Sequence, residues 1–103
     1  MFLFGASGHC KVIIDIIQKS NLDVIECVFD DNPIIDHIFN IPVIKSEKPD
    51  FYFNKSLIIS IGNNSIRQRI ASKIPANYLI AVHPTSIVAN GVIIEEGSVI
   101  MAG

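Results

Sequence analysis

The stretch with the most evident chemistry is Gly5-Ala-Ser-Gly8-His9-Cys10-Lys11, set directly behind the apolar Phe2-Leu3-Phe4 and ahead of a run of aliphatic residues at helical spacing. A glycine turn between a strand and a helix aims backbone N–H groups and the positive end of the helix dipole at one point, where they attract a phosphate. Ser7, His9 and Lys11 add side chains that could meet a pyrophosphate. The turn departs from the dinucleotide fingerprint GxGxxG because Ser7 stands where the middle glycine belongs, and two glycines also suit a plain strand-to-helix turn.

Two further groups fall where such a turn would use them. Asp30 and Asp31 end the apolar run Val24 to Phe29, just over twenty residues past Gly8, where folds of this kind present a carboxylate to a ribose or a base edge. Asp-Asp-Asn-Pro is equally good turn chemistry. Gly62-Asn63-Asn64 follows the apolar Leu57-Ile-Ile-Ser-Ile61 and faces the first loop if the sheet is parallel. Asn64 or Ser65 is the expected helix N-cap, and Arg67 suits a solvated face. Of the three histidines, His9 in the glycine loop is a reasonable ligand contact, His37 reads as incidental, and His83 before Pro84 suits a hinge or cap as well as a base.

The elements that would position these groups follow from periodicity. Val12, Ile13, Ile16 and Ile17 mark a helix face that stops near Ser20-Asn21, and Ile66, Ile70 and Ile74 mark a second helix ended by Pro75. Val24–Phe29, Leu57–Ile61 and Tyr78–Val82 read as strands, Ile41–Ile44 fits a short one, and Pro49 sits in loop or a single short helix. The crossover rule closes this β-α-β-β-α-β order into a small Rossmann-like parallel sheet with helices on both faces, an α/β fold.

After His83-Pro84 the period becomes six. Val88, Ile94 and Ile100 recur with glycines at 91, 97 and 103, the pattern of hexapeptide repeats in a left-handed parallel β-helix whose triangular coil takes three hexads. Residues 1–84 are therefore expected to form the Rossmann-like domain and 85–103 the start of a β-helix. A lone coil cannot bury its own faces, so the chain reads as the front part of a longer protein.

Composition bounds the function. The 103 residues are 50% apolar and 17% charged, with a net charge of −2 and twenty-one isoleucines, as expected of one compact unit with an aliphatic core. The mean hydropathy of +0.45 is not that of a membrane protein, because the longest apolar run, Tyr78–Val82, is far below the ~20 residues of a spanning helix. Without a signal-peptide core the chain reads as cytoplasmic. Cys10 and Cys27 are too few and too isolated for a disulfide framework or a zinc site, so no metal is expected. Eight basic against ten acidic residues, with no basic stripe, argues against nucleic acid as a partner.

Taken in order, Gly5-Ala-Ser-Gly8-His9-Cys10-Lys11, Asp30-Asp31, Ile61-Gly-Asn-Asn-Ser-Ile-Arg67 and His83-Pro-Thr-Ser86 ahead of hexads resemble the sugar O-acyltransferases of the sialic-acid O-acetyltransferase type. The chain is similar also to the N-acetyltransferases that act on UDP-linked 4-amino-sugars in bacillosamine synthesis. The resemblance implies an acetyl-CoA-dependent acetyltransferase of cell-surface polysaccharide biosynthesis, with a nucleotide-sugar-binding domain and a homotrimeric β-helix that binds acetyl-CoA between subunits. It implies that Gly5, Ser7, Gly8 and His9 line the phosphate and sugar region, that Asp30 or Asp31 contacts base or ribose, and that Gly62, Asn63 and Asn64 form the opposite lip. The family's general base is a β-helix histidine that no residue here matches, so the catalytic base is expected beyond Gly103 and the 103 residues are expected to be inactive alone. Cys10 stands where the family more usually has glycine or alanine. The competing expectation is a stand-alone nucleotide- or dinucleotide-binding module whose hexads arise from composition. The sugar, the nucleotide, and the choice of O- or N-acetylation stay open.

Overall fold

A computed structural model describes residues 1–79 together with the backbone of two later strand segments, 81–82 and 99–100. His83-Pro84 and the hexads up to Ser98 lie outside the described residues, as does the proposed boundary at 84/85.

Six strands form one sheet: β1 (Phe2–Phe4), β2 (Cys27–Asp30), β3 (His37–Ile38), β4 (Ile41–Lys45), β5 (Ser56–Ile59) and β6 (Asn77–Tyr78), in the spatial order β3-β4-β2-β1-β5-β6. Helix α1 (Gly8–Ser20) joins β1 to β2, a 3-10 turn (Pro49–Tyr52) leads from β4 to β5, and α2 (Asn64–Lys73) joins β5 to β6. All pairings in this sheet are parallel except β3 with β4. The expected parallel sheet is thus a mixed one.

Period-two alternation in the strands assigns the two faces. Leu3, Val28 and Ile58 share one register row and one face, where Cys10, Ile13, Ile14, Ile16 and Ile17 of α1 cover them. Burying each of these isoleucines favours the fold by roughly 1.5–3 kcal/mol, so α1 is the best-anchored element. Ile14 completes the buried stripe in place of Val12, which is exposed. Asn21, in the left-handed region at φ 53°, ends the helix as its N–H and that of Leu22 reach back to the carbonyls of Gln18 and Ile17.

The opposite face carries Phe4, Cys27, Phe29 and Leu57, covered by Tyr52 of the 3-10 turn and by Ile70 and Ile74 at the end of α2. Tyr52 is fully buried, packed edge-on against Phe4, Phe29 and Phe51, and its hydroxyl accepts the Glu47 N–H at 2.8 Å. Helices therefore lie on both faces, as expected.

Three expected strands are revised. The second begins at Cys27, and Val24 is 76% exposed in the connection before it. The strand expected at Leu57–Ile61, β5, ends at Ile59 rather than Ile61, where the chain turns toward the candidate site. The apolar run Tyr78–Val82 is not one strand: β6 closes at Tyr78, and a separate β7 (Ala81–Val82) pairs in parallel with β8 (Val99–Ile100), Ala81 opposite Val99 and Val82 opposite Ile100.

Candidate functional site at the carboxyl edge of the sheet

The strand order reverses at β1: the chain moves from β1 to β2 and β4 on one side, then returns to place β5 and β6 on the other. In open α/β sheets the crevice outside the carboxyl ends of the strands at such a switch point is where ligands sit. The loops after β1 and β5 flank it, and the turn after β2 lies beside them.

Gly5 makes the first loop possible. Its φ of +114° is poorly tolerated by residues with a Cβ, and a Cβ there would lie 2.5 Å from Cγ1 of Ile61. The surroundings clamp it: the Gly5 N–H donates to the Phe29 carbonyl at 2.7 Å, and its carbonyl accepts the buried Ser60 hydroxyl at 2.6 Å. Ser60 is fully buried, and its N–H continues the ladder to the Phe4 carbonyl. Cys10, also fully buried, lies beside Ser60; burial raises its thiol pKa most, the Ser60 hydroxyl lowers it, and the Asp30 charge raises it again. Such a thiol is a packing group, not a nucleophile.

Ser7 is the N-cap of α1, extended and exposed, and its hydroxyl makes no capping bond. The first turn of α1 itself holds no acidic residue, and of the amides around it the Asp30 carboxylate bonds only the Ala6 N–H ahead of the helix, so the amides of the turn keep their positive potential for an anion. Nothing lies within 4 Å of where a Cβ on Gly8 would be, which leaves the approach to these amides open. The half-buried His9 turns the other way: its ring lies 3.5 Å from the Cβ position of Gly62, so the loops after β1 and β5 meet.

The two aspartates separate. Asp30 accepts the Ala6 N–H at 2.8 Å through Oδ2 and the Asn32 N–H at 2.9 Å through Oδ1, tying the glycine loop to its own turn. Asp31 is exposed and accepts the Ser46 hydroxyl, while the Ser46 N–H holds the Asp30 carbonyl at 2.9 Å. The turn-chemistry account thus holds for Asp30, and Asp31 keeps a free carboxylate edge at the rim.

Across the crevice, Asn63 rather than Asn64 or Ser65 is the N-cap of α2, its Oδ1 accepting the Ile66 N–H at 3.0 Å. Asn64 instead receives the Arg67 guanidinium through its side-chain oxygen. Gly5, Ser7, Gly8, His9, Asp30, Asp31, Gly62, Asn63 and Asn64 thus all lie at one edge of the sheet, in its loops or at the helix and strand ends that border them, with Asp30 and Asn63 engaged in holding the backbone. Sequence reading missed Ser60 and Ser46. The signal for Ser60 was present, since it is the one polar residue inside Leu57–Ile61.

Among the described residues no three His, Cys, Asp or Glu side chains form a group that could hold a metal, and no helix is long and apolar enough to cross a membrane. What the edge offers is an open helix terminus for an anion, a carboxylate at the rim and amide side chains opposite.

Known proteins resemble this chain in sequence and in fold. The chain is 28% identical, over 97% of its length and 50% of the relative's, to UDP-N-acetylbacillosamine N-acetyltransferase of Bacillus subtilis (strain 168). A variant of perosamine N-acetyltransferase from Caulobacter crescentus, solved in complex with CoA and GDP-perosamine, superposes with a TM-score of 0.84 at 25% identity, over 99% of this chain and 51% of that one. The acetyltransferase domain of PglB from Neisseria gonorrhoeae FA1090 gives 0.72 at 25% identity, over 98% and 52%. The chain spans about half the length of each of these relatives. The model of the PglD N-terminal domain matches residues 1–74, most of the chain and all of the loops just described, and the chain belongs to that family.

Proposed function

We propose that these residues form the nucleotide-sugar-binding part of an acetyl-CoA-dependent sugar acetyltransferase. The carrying observation is the contact of His9 with Gly62, which brings an open helix N-terminus and the Asn63-Asn64 loop to one switch-point crevice. In this reading the diphosphate lies over Ser7, Gly8 and His9, Asp31 meets ribose or base, and Asn64 faces the sugar, with Gly5, Asp30, Gly62 and Asn63 shaping the loops. The named activities of the Bacillus and Caulobacter relatives favour an amine on the sugar as acceptor.

The chemistry is acyl transfer: the acceptor amine attacks the thioester carbonyl of acetyl-CoA, a base takes its proton, and CoA leaves as the thiol. No described residue is assigned as that base or to the acetyl donor. What these residues contribute is orientation, since binding energy from the remote nucleotide fixes the amine in place for attack.

The second domain, 85–103, is assigned to the start of a left-handed β-helix. Its support is the pairing of β7 with β8 at an offset of eighteen residues, the length of a coil of three hexads. The complete enzyme is proposed to be a cytoplasmic homotrimer serving cell-surface polysaccharide synthesis.

Calorimetric titration of the chain with a GDP-hexose, UDP-N-acetylhexosamine, CMP-sialic acid and NADH tests the reading. Saturable binding of at least one nucleotide sugar without NADH is expected. Binding of NADH alone would replace it with a dinucleotide-binding module.

A further inference from the structure

A second concavity opens beside the crevice, on the face of the sheet covered by α2. It is a cleft of ≈ 350 Å³ lined by the apolar Phe4 and Ile70, by Asp31 and Glu47 from the segments that follow β2 and β4, and by Arg69 and Lys73 from α2. Phe4 immediately precedes Gly5, so the cleft adjoins the glycine turn to which the phosphates are assigned.

The acidic pair is held in place. Asp31 accepts the Ser46 hydroxyl, and the Glu47 backbone is pinned by its N–H donating to the buried Tyr52 hydroxyl at 2.8 Å. The basic pair spans one helical turn of α2, where residues four apart are neighbours on the surface. Among the described residues, no ion pair within 4 Å joins these two carboxylates to these two cations. The charges therefore line the cleft without pairing with one another.

An apolar lining with acceptors from two loops and donors from a helix fits a flat heterocycle that carries donors on one edge and acceptors on another. Guanine has this pattern: N1–H and the 2-amino group form an adjacent donor pair that a carboxylate accepts bidentately, and O6 with N7 forms an acceptor pair suited to Arg or Lys. Uracil offers one N–H flanked by two carbonyl oxygens, which a carboxylate repels. Adenine places a ring-nitrogen acceptor where guanine has its N1–H donor. We propose that this cleft holds the nucleobase and selects guanine over uracil, which makes the nucleotide of the sugar a GDP. The proposal rests on the nucleotide-sugar reading above and adds the identity of the base.

The test is calorimetric titration of the chain with GDP, IDP and UDP, repeated with Glu47→Gln and Arg69→Leu, both exposed positions whose change leaves the core intact. GDP is expected to bind about tenfold or more tightly than UDP, because a site built around polar edges discriminates against a base that lacks them. IDP, which lacks only the 2-amino group, should fall between the two. Each substitution should erase most of the GDP preference, Arg69→Leu by weakening GDP and Glu47→Gln by weakening GDP and relieving the repulsion of UDP. UDP binding as tightly as GDP, or a GDP preference that survives both substitutions, overturns the base assignment and leaves the nucleotide-sugar reading standing. Failure of all three nucleotides to bind overturns both.

Discussion

Asp30 and Asp31 are neighbours in the chain with opposite tasks, and substitution separates them. Asp30→Ala removes the acceptor for two backbone N–H groups, Ala6 and Asn32, and should cost about 2 kcal/mol of stability, read by chemical denaturation. Asp31→Ala should leave stability within about 0.5 kcal/mol, as an exposed position does, while weakening nucleotide-sugar binding. Equal destabilisation by both would return Asp31 to turn chemistry. Cys10 supplies a pH test. Its thiol is raised above the ordinary 9.0 in the folded protein, chiefly by burial, so between the unfolded and folded values the folded state holds more protons than the unfolded one. The contribution of Cys10 to stability should be constant well below pH 9 and fall as pH rises through it, and Cys10→Ala should lessen the fall in denaturation curves taken from pH 7 to 10, the Cys27 thiol, also raised by burial, supplying the remainder. The glycine loop was legible because glycine spacing reports backbone need directly. The burial of Ser60 was not, because a serine in an apolar strand looks like an interruption until its partner, the Gly5 carbonyl fifty-five residues away, is known.

At the level of elements, the two helices are anchored unequally. Five residues of α1 are buried and none within α2, whose contact with the sheet comes through the half-buried Ile70 and through Ile74 just past its end. Local opening is cheapest where few apolar contacts hold an element, so amide exchange should be faster throughout α2 than in α1. Asn63→Ala removes the cap and should lower α2 protection by about 1 kcal/mol while leaving α1 unchanged. A uniform loss across both helices would show that α2 unfolds only with the whole domain. The same elements show what pattern reading can reach. Isoleucines at helical spacing identified both helices, and Asn21 marked the end of α1. The β3–β4 hairpin escaped because β3 has two residues and its turn places both Phe39 and Asn40 at positive φ, 48° and 66°. Asn at such a turn is a usual signal, but Phe is not.

For the molecule as a whole, the decisive feature is that the site draws on both faces of the sheet. Ser7 and Gly8 belong to the helix covering one face, Asn63 and Asn64 open the helix covering the other, and the β1–β2 and β1–β5 ladders hold them in register. The β-α-β order made this layout legible, because right-handed crossovers leave few ways to place the helices. The position of the switch point was not legible, since periodicity does not say on which side of β1 a later strand will land. A ligand spanning both loops binds only when the sheet is assembled, so it should stabilise the domain against global unfolding rather than protect one element. At a concentration one hundred times its dissociation constant, a nucleotide sugar should add about 2.7 kcal/mol, which in a domain of this size raises the thermal midpoint by about 10 °C or more. With Asp31→Ala at the same ligand concentration the rise should shrink in step with the lost affinity, while the ligand-free midpoint stays put. A midpoint that does not move with ligand would mean that the two loops, although in contact through His9 and Gly62, are not bridged by a nucleotide sugar.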